Sequence, residues 1–383
     1  MNNKNSIFNI GYVEGYYGRL LSWNDRKRIV NKLSNRQMHN YLYAPKEDIK
    51  NRLKWRNSYC KSWAKSFKRF CYFSKKKNIN VIAGVAPGLD FNYKDLDKKD
   101  THHKSDIKLL LNKFKFLLEC GASDIALLLD DIPNYFHNSK SHNKSEGQLH
   151  AELANEISLK FNRNIYFVPR IYANELIDDS PNYLNDLLFY LNKKTIIIYC
   201  GDNIVSQNIE PELFDFFSHK GFDKILVWDN YYSNDYCPRR LFIGPWYGRE
   251  KIKNIIINPT GMIETDLLIL DIIYFSSNFD DPYLAWEKVL KINHIPKQFL
   301  SVSMFFQSPH FNNKEIKFIY NISPEIYNDI EFLLWKWKTK ISIEWYPYII
   351  TLKQDLLIDS DTLPDLRIIK TQLLPLAKKL LKK

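Results

Sequence analysis

The pair Asp130-Asp131 is the feature of the sequence most able to do chemistry, because it directly follows the apolar run Ile125–Leu129. An Asp-Asp pair is usually a solvated turn or a helix cap. At the end of a buried strand, however, two adjacent carboxylates repel, and one proton is held to higher pH than usual. A carboxylic acid that keeps its proton near neutral pH can act as a general acid, and glycoside hydrolysis uses a pair of such groups.

Aromatic residues accompany other polar side chains in a way that suggests a ligand site. A single Trp or Tyr is more often a core residue, but the run Trp228–Tyr236 also contains Asp229, Asn230, Asn234 and Asp235, which is too polar for a core alone. Aromatic rings stack on sugar faces, and tyrosine hydroxyls bond to sugar hydroxyls. The residues expected to form this rim are Tyr16, Tyr17, Tyr172, Trp228, Tyr231, Tyr232 and Tyr236.

Other catalytic schemes lack their sequence signals. The chain has no GxGxxG, P-loop or GxSxG motif, and its nine histidines match no zinc-binding spacing. We therefore expect neither a metal nor a cofactor. The five cysteines are odd in number and form no CxxC pair, which favours a reducing compartment over a disulfide framework. With no signal peptide and no apolar stretch of transmembrane length, the sequence predicts a soluble, cytoplasmic protein with no membrane partner.

The elements that would position these residues follow a regular alternation. Eight short, nearly continuous apolar runs are typical of strands buried on both faces. Segments of helical periodicity lie between them, and eight such repeats over about 260 residues match a (β/α)8, or TIM, barrel. An open doubly wound sheet is the alternative. The predicted strands are Phe8–Val13, His39–Tyr43, Asn80–Val85, Asp124–Leu129, Ile165–Val168, Thr195–Tyr199, Ile225–Trp228 and Asn254–Ile257.

The intervening helices are less regular than the strands. The predicted segments are 23–33, 55–73, 106–118, 148–161, 183–191, 210–217 and 239–241. After the last strand the pattern becomes wholly helical, with segments at 267–275, 282–292, 324–339 and 363–382. The sequence therefore predicts an α/β fold in two parts: a barrel over residues 1–265 and a small helical C-terminal domain over 266–383.

Polar residues follow each predicted strand, and in a TIM barrel the strand ends meet at the face that carries the active site. Glu14 and Gly15 follow the first strand, Lys46 lies after the second, and Asn258 follows the eighth. Any one of them could simply begin a loop. Together with the Asp pair they predict a polar ligand site at one rim.

Several of these segments, in this order, resemble glycoside hydrolase family 84, which contains the protein O-GlcNAcases and bacterial β-N-acetylglucosaminidases. The similarity runs over roughly residues 8–265 and is carried by blocks 11–19 (GYVEGYYGR), 41–48 (YLYAPKED), 126–132 (ALLLDDI), 227–230 (VWDN) and 234–236 (NDY), followed by 241–245 (LFIGP) and 258–259 (NP). The family fold is a TIM barrel, in agreement with the spacing. Its mechanism is retaining and substrate-assisted: the 2-acetamido oxygen of the substrate attacks the anomeric carbon and forms an oxazoline.

The resemblance implies a role for each matching residue. Asp130 would orient and polarise the acetamido N–H, and Asp131 would protonate the leaving oxygen and later deprotonate water. Gly15 would let its backbone approach the sugar. The remaining implied contacts are hydroxyl binding by Lys46, Asp235 and Asn258, a bond from Asn230 to the acetamido carbonyl or the sugar, and an N-acetyl pocket walled by Tyr172 and Trp228.

The chain departs from the family pattern at three places. Leu20-Leu21 replaces a common Pro-Trp, Arg170-Ile171 replaces Thr-Glu, and Cys200 replaces a small hydroxyl residue. These positions bear on the preferred leaving group more than on the reaction.

The resulting expectation is a retaining exo-β-N-acetylglucosaminidase acting on GlcNAc-bearing protein or glycan. One alternative is a catalytically weak sugar-binding protein on the same barrel, against which the intact Asp pair speaks. Another is a polyanion or nucleic-acid binder using the net charge of 55 − 43 = +12, but the lysines are scattered and form no stacking platform. We expect no nucleic-acid partner, and a homodimer through the C-terminal helices is one available arrangement.

Overall fold

Eight parallel strands close into a barrel in which each strand pairs with the next in the chain and β8 pairs with β1. The computed structural model describes residues 9–97, 105–134, 144–279, 281–310, 323–359 and 369–381. The predicted TIM barrel is confirmed. Its strands are β1 (Asn9–Val13), β2 (Asn40–Tyr43), β3 (Asn80–Val85), β4 (Asp124–Leu128), β5 (Tyr166–Val168), β6 (Ile196–Tyr199), β7 (Ile225–Asp229) and β8 (Asn254–Ile257).

The strands are apolar over most of their length because both of their faces are buried. Side chains alternate between the two faces of a strand, so Tyr12 and Tyr41 pack outward against the helices while Val13 and Leu42 fill the barrel. The interior layer ends at Trp228, near the carboxyl end of β7. Below the carboxyl ends of the strands, the barrel interior is thus filled by side chains.

Helices follow the strands on the outside of the barrel. Two begin with serine caps, in which Ser22 accepts from the Asp25 N–H and Ser145 from the Gln148 N–H. The helices are Trp23–Asn35, Lys61–Lys76, Lys94–Asp97, Asp106–Glu119, Glu146–Phe161, Tyr183–Tyr190, Asp215–His219 and Ile263–Ser276, with 3₁₀ turns at Asn174–Asp179 and Pro211–Phe214.

Two helix predictions within the barrel are wrong. The second helix begins at Lys61 rather than at Trp55, because the preceding residues form turns in which the Trp55 Nε1–H bonds to Asp90. The segment 239–241 is not helical. Arg239 instead reaches the C-terminal region and pairs with Asp355.

The C-terminal region is helical, as predicted, but with other bounds. The segment expected over 324–339 ends at Trp335, and a longer helix, Lys340–Asp359, follows despite Pro347 within it. The predicted helix 363–382 lies partly outside the described residues, and its described part contains Leu374–Leu380. The helices here are Pro282–Ile292, Gln298–Val302, Pro324–Trp335, Lys340–Asp359 and Leu374–Leu380, with a 3₁₀ turn at Ser303–Phe305.

The helix Lys340–Asp359 packs directly on the barrel. The carboxylate of Glu344 accepts hydrogen bonds from the backbone N–H groups of Glu264 and Thr265, and so caps Ile263–Ser276. The buried Trp345 donates to the Thr265 hydroxyl. The predicted domain boundary at 265/266 falls inside the capped helix and remains a prediction. In the part of the chain that the structure describes, no helix is both long and apolar enough to cross a membrane.

Candidate active site

A cavity of about 790 Å³ opens at the carboxyl ends of the strands. The nine residues to which the family resemblance assigns a role all line it, although they are spread over more than 240 positions of the chain. They are Gly15, Lys46, Asp130, Asp131, Tyr172, Trp228, Asn230, Asp235 and Asn258.

The predicted aromatic rim is only partly correct. Tyr17 and Tyr236 line the cavity together with Tyr172 and Trp228. The rim prediction is wrong for three tyrosines, which are buried in the core instead: Tyr16, Tyr231 and Tyr232. Glu14, predicted at the same rim, is buried in an ion pair with Arg26.

Asp130 lies at the inner end of the pair. Its side chain is 8% exposed and one oxygen, Oδ2, is bound to the ammonium of Lys46. The other oxygen, Oδ1, is buried and has no hydrogen-bond partner among the described residues. Since a buried carboxylate oxygen without a donor is costly, this arrangement suits a ligand that brings an N–H or O–H group.

Asp131 is more open, with a side chain that is 34% exposed. The Tyr172 hydroxyl donates to its Oδ1 at 2.6 Å and the Tyr17 hydroxyl donates to its Oδ2 at 2.9 Å. Burial and the Asp131 carboxylate raise the pKa of both tyrosines, so both remain protonated donors. Each oxygen of Asp131 therefore faces a fixed O–H group.

The pKa of Asp131 is lowered, whereas repulsion within the pair predicted that one carboxyl would keep its proton. Burial alone would raise this pKa, but Lys46 and the hydrogen bonds from Tyr172 and Tyr17 outweigh burial. Lys46 Nζ lies 3.5 Å from Asp131 Oδ2 while also contacting Asp130. The Lys46 ammonium, which contacts both carboxylates, thus offsets their mutual repulsion.

Gly15 and Trp228 form a close contact across the barrel mouth. A Cβ atom on Gly15 would lie 2.2 Å from Trp228 Cζ2, so only glycine fits without moving the indole. The Gly15 N–H donates to Asn258 Oδ1 at 3.1 Å. These contacts join the loops after β1 and β8 to the carboxyl end of β7.

The side chain of Asn230 is hydrogen-bonded to other groups of the protein. Its Oδ1 accepts from Trp228 Nε1 and from Asn258 Nδ2, each at 2.9 Å. Its Nδ2 donates to the Ile204 carbonyl at 2.8 Å. In this arrangement Asn230 orients the Trp228 wall and Asn258, both of which line the cavity.

Asp235 lies at the cavity rim. Its Oδ2 accepts from the Tyr17 backbone N–H at 2.8 Å, and its Oδ1 accepts from the Tyr236 N–H at 2.9 Å. The loops after β1 and β7 are thus tied together beside the cavity, with a carboxylate available to hydroxyl groups.

Three residues at the floor of the cavity are apolar or nearly so: Val168, Ile198 and Cys200. Asn230 Nδ2 lies 3.7 Å from Cys200 Sγ. Burial, followed by the nearby Asp229 carboxylate, raises the pKa of the Cys200 thiol well above its usual value, so it stays neutral. A small apolar substituent such as a methyl group would fit this floor.

Arg170, which departs from the family pattern, does not line the cavity. Arg170 is buried behind the Tyr172 wall and forms a two-bond ion pair with Glu146 at 2.6 and 2.9 Å. Leu21 is buried in the core whereas Leu20 is exposed. Among the three departures, only Cys200 contacts the cavity.

The sequence assigned Tyr17 only to the aromatic rim and missed its bond to Asp131. It also missed His310, which lies after the barrel yet lines the cavity. The spacing of residues in the sequence predicts neither the Tyr17–Asp131 bond nor the position of His310, because both depend on which distant loops meet in the fold. Within the described ranges, no group of three His, Cys, Asp or Glu side chains could hold a metal ion.

A comparison with known families decides which family this site belongs to. The model described as beta-N-acetylglucosaminidase matches residues 10–268, a span that contains all nine predicted site residues. The chain belongs to this family. The resemblance to glycoside hydrolase family 84 is therefore confirmed, and membership identifies the chain as a glycoside hydrolase, as predicted.

Two mammalian proteins are similar in sequence to this member of the β-N-acetylglucosaminidase family. Over 290 residues it is 28% identical to the Protein O-GlcNAcase of Rattus norvegicus and to that of Mus musculus. Each match covers 71% of this chain but only 30% of the relative. The chain thus matches a minor part of the length of these curated relatives.

Proposed function

We propose that this chain is a retaining exo-β-N-acetylglucosaminidase that uses the 2-acetamido group of its substrate as the nucleophile. The observation that carries the proposal is the free oxygen of Asp130. This buried Oδ1 lines the cavity and lacks a donor among the described residues. A substrate acetamido N–H would supply that donor, and the neighbouring floor of Val168, Ile198 and Cys200 would take the acetyl methyl group.

In the first step the acetamido carbonyl oxygen attacks the anomeric carbon, and the bond from that carbon to the leaving oxygen breaks. Asp131 gives its proton to the leaving oxygen. Asp130 accepts a hydrogen bond from the acetamido N–H and stabilises the positive charge that develops on the oxazolinium ring. In the second step Asp131 takes a proton from water, which opens the oxazoline with net retention.

Asp131 must be protonated when the substrate reacts, although its surroundings in the protein lower its pKa. Substrate binding would bury the 34% of its side chain that is exposed. Removing this water disfavours the anion, and sugar hydroxyls would compete for Lys46. Substrate binding is therefore coupled to uptake of a proton by Asp131.

We infer that the natural substrate carries terminal β-linked GlcNAc on protein or glycan. The name of the two mammalian relatives points to the protein-linked sugar. A cytoplasmic location, which would suit that substrate, is a proposal that rests on the odd number of cysteines.

The test is hydrolysis of 4-nitrophenyl β-N-acetylglucosaminide by the wild type, Asp130→Asn and Asp131→Asn. We expect turnover by the wild type and a loss of activity of at least about 100-fold in each variant. The loss should be smaller for Asp131→Asn than for Asp130→Asn, because nitrophenolate leaves without full protonation. Asp202→Asn, an exposed carboxylate outside the cavity, is the control and should retain activity.

A folded wild type that hydrolyses neither this glycoside nor a GlcNAc-modified peptide would contradict the proposal. Comparing such a peptide with chitobiose then identifies the preferred leaving group. Faster cleavage of chitobiose would reject protein as the main substrate while leaving the reaction intact.

A further inference from the structure

The loop between β2 and the helix Lys61–Lys76 supplies two cations to the same turn. Lys46 binds the carboxylates of Asp130 and Asp131, whereas Arg52 binds their backbone. Arg52 is 6% exposed, and its guanidinium donates to the Asp130 carbonyl at 3.2 Å and to the Asp131 carbonyl at 2.7 Å. One planar group thus holds two consecutive peptide units.

The turn that Arg52 holds has an unusual backbone. Asp131 has φ +53°, in the left-handed region that non-glycine residues adopt infrequently. Consecutive side chains of a strand point to opposite faces, so an extended Asp130-Asp131 would separate its carboxylates. The change of conformation at Asp131 allows both carboxylates to approach Lys46.

The loop that carries Arg52 is itself fixed to the barrel. Asn51 Nδ2 donates to the Gly84 carbonyl at 2.8 Å, and the Asn51 carbonyl accepts from the Ala86 N–H at 3.0 Å, which ties the loop to β3. On its other side, Lys113 Nζ donates to the carbonyls of Lys50 and Asn57, at 2.6 and 2.9 Å. Arg52 is therefore a rigid support rather than a mobile surface side chain.

We propose that Arg52 is a positioning residue that fixes the left-handed turn at Asp131 and so aims its carboxyl group at the leaving oxygen. This inference rests on the proposed function, because it concerns the proton donor of that reaction. Arg52 lies outside the cavity lining and acts on substrate only through the turn that carries Asp130 and Asp131. Its loss should weaken protonation of the leaving group while leaving attack by the acetamido oxygen possible.

The experiment measures kcat/KM, which reports departure of the leaving group, for aryl β-N-acetylglucosaminides of increasing leaving-group pKa. For Arg52→Met we expect a decrease of at least about tenfold with poor leaving groups and less than about threefold with 2,4-dinitrophenol, since general acids contribute most to poor leaving groups. Arg52→Lys, which keeps the charge but can hold only one carbonyl well, should fall between the wild type and Arg52→Met.

Arg56→Met is the matched control. Arg56 lies in the same loop, but its guanidinium pairs with Asp90 and Asp106, away from the carboxylate pair. It should lower thermal stability without changing the dependence on the leaving group. If Arg52→Met does not fold, the same series with Arg52→Lys decides the question.

An equal loss for every leaving group in a folded Arg52 variant would overturn the inference and leave the proposed function standing. Absence of wild-type hydrolysis would instead reject the proposed function, and the inference with it. The two failures are therefore distinguishable.

Discussion

At the residue scale, the two carboxylates of the site differ in their partners. Asp130 shares Lys46 and keeps one oxygen for a ligand. Lys46, followed by the hydroxyl groups of Tyr172 and Tyr17, holds the pKa of Asp131 low in spite of burial. The two neighbouring carboxylates therefore have different surroundings, as a pair that performs two roles requires.

The low pKa of Asp131 predicts that ligand binding takes up protons. At about pH 6 Asp131 is ionised before a ligand binds, because its pKa lies below the ordinary value of a carboxyl group. An uncharged thiazoline analogue of the oxazoline would bury it, and we expect uptake of up to about one proton per site. Calorimetry of binding in buffers of different ionisation enthalpy measures this number.

Asp131→Asn is the control for that measurement, since it keeps the shape of the side chain and removes its titration. Uptake should disappear in this variant. Uptake that persists in Asp131→Asn would assign the proton to another group, such as the ligand nitrogen, and would contradict the coupling.

At the scale of elements, the loops that follow the strands position the site by contacting one another. The loop after β1 meets the loop after β8 through Gly15 and Asn258, and meets the loop after β7 through Tyr17 and Asp235. Arg19 strengthens the same junction by donating to Asn234 and to the Thr260 carbonyl. The geometry of the cavity thus depends on loops that are distant in sequence.

Gly15→Ala tests this junction. The new Cβ would fall 2.2 Å from Trp228 Cζ2, so the indole that walls the cavity must move. We expect kcat/KM for a GlcNAc glycoside to fall by at least about tenfold because small displacements of positioning groups are costly. Steady-state kinetics measure this loss of activity, and a thermal melt measures any change in stability separately.

Gly221→Ala is the matched control for Gly15→Ala. Gly221 has φ +82° and lies in a turn outside the cavity, where a Cβ would come no closer than 3.8 Å to another side chain. This change should cost about 1 kcal/mol of stability through backbone strain and leave catalysis unchanged. A Gly15→Ala enzyme with wild-type kinetics would show that Trp228 can move without consequence.

At the scale of the whole molecule, the barrel and the C-terminal helices share one buried interface. Glu344 caps the last barrel helix, and the Tyr348 hydroxyl accepts hydrogen bonds from both Arg19 and Asn234 beside the cavity. The C-terminal region therefore supports the loops of the site as well as its own core.

The stability of the molecule should fall in acid partly through His150. This residue is fully buried, and burial, followed by Arg170, lowers its pKa to about 3. The unfolded chain takes up this proton near pH 6.5, so the folded state binds fewer protons between about pH 6.5 and 3. Within that window His150 alone removes about 1.4 kcal/mol of stability per unit fall in pH.

His150→Asn tests this linkage and can still bond to the Tyr183 hydroxyl, which lies 2.8 Å from His150 Nδ1. Chemical denaturation from pH 7 to 4 should show a pH dependence reduced by up to about one proton relative to the wild type. His219→Asn, in the exposed short helix Asp215–His219, should keep the wild-type slope. An unchanged slope in His150→Asn would place the acid sensitivity elsewhere.

The amino-acid sequence was sufficient to predict the barrel and nine of the residues that line the cavity. Strands buried on both faces must be apolar along their whole length, so eight such runs were visible without coordinates. Polar residues such as Lys46 and Asp130 stood out because each lies within three residues of the end of one of these runs. Helix bounds were less visible: the helix Lys340–Asp359, which contains Pro347, was missed since its packing on the barrel outweighs local propensity.

Only the tertiary structure decided the charge state and the support of the carboxylate pair. Local repulsion predicted a proton retained on one carboxyl, but Lys46 and two tyrosines from the loops after β1 and β5 reverse that outcome for Asp131. The left-handed backbone of Asp131 and its Arg52 clamp also have no local signal. Burial and hydrogen bonding depend on which distant segments meet, and closure of the barrel brings those segments together.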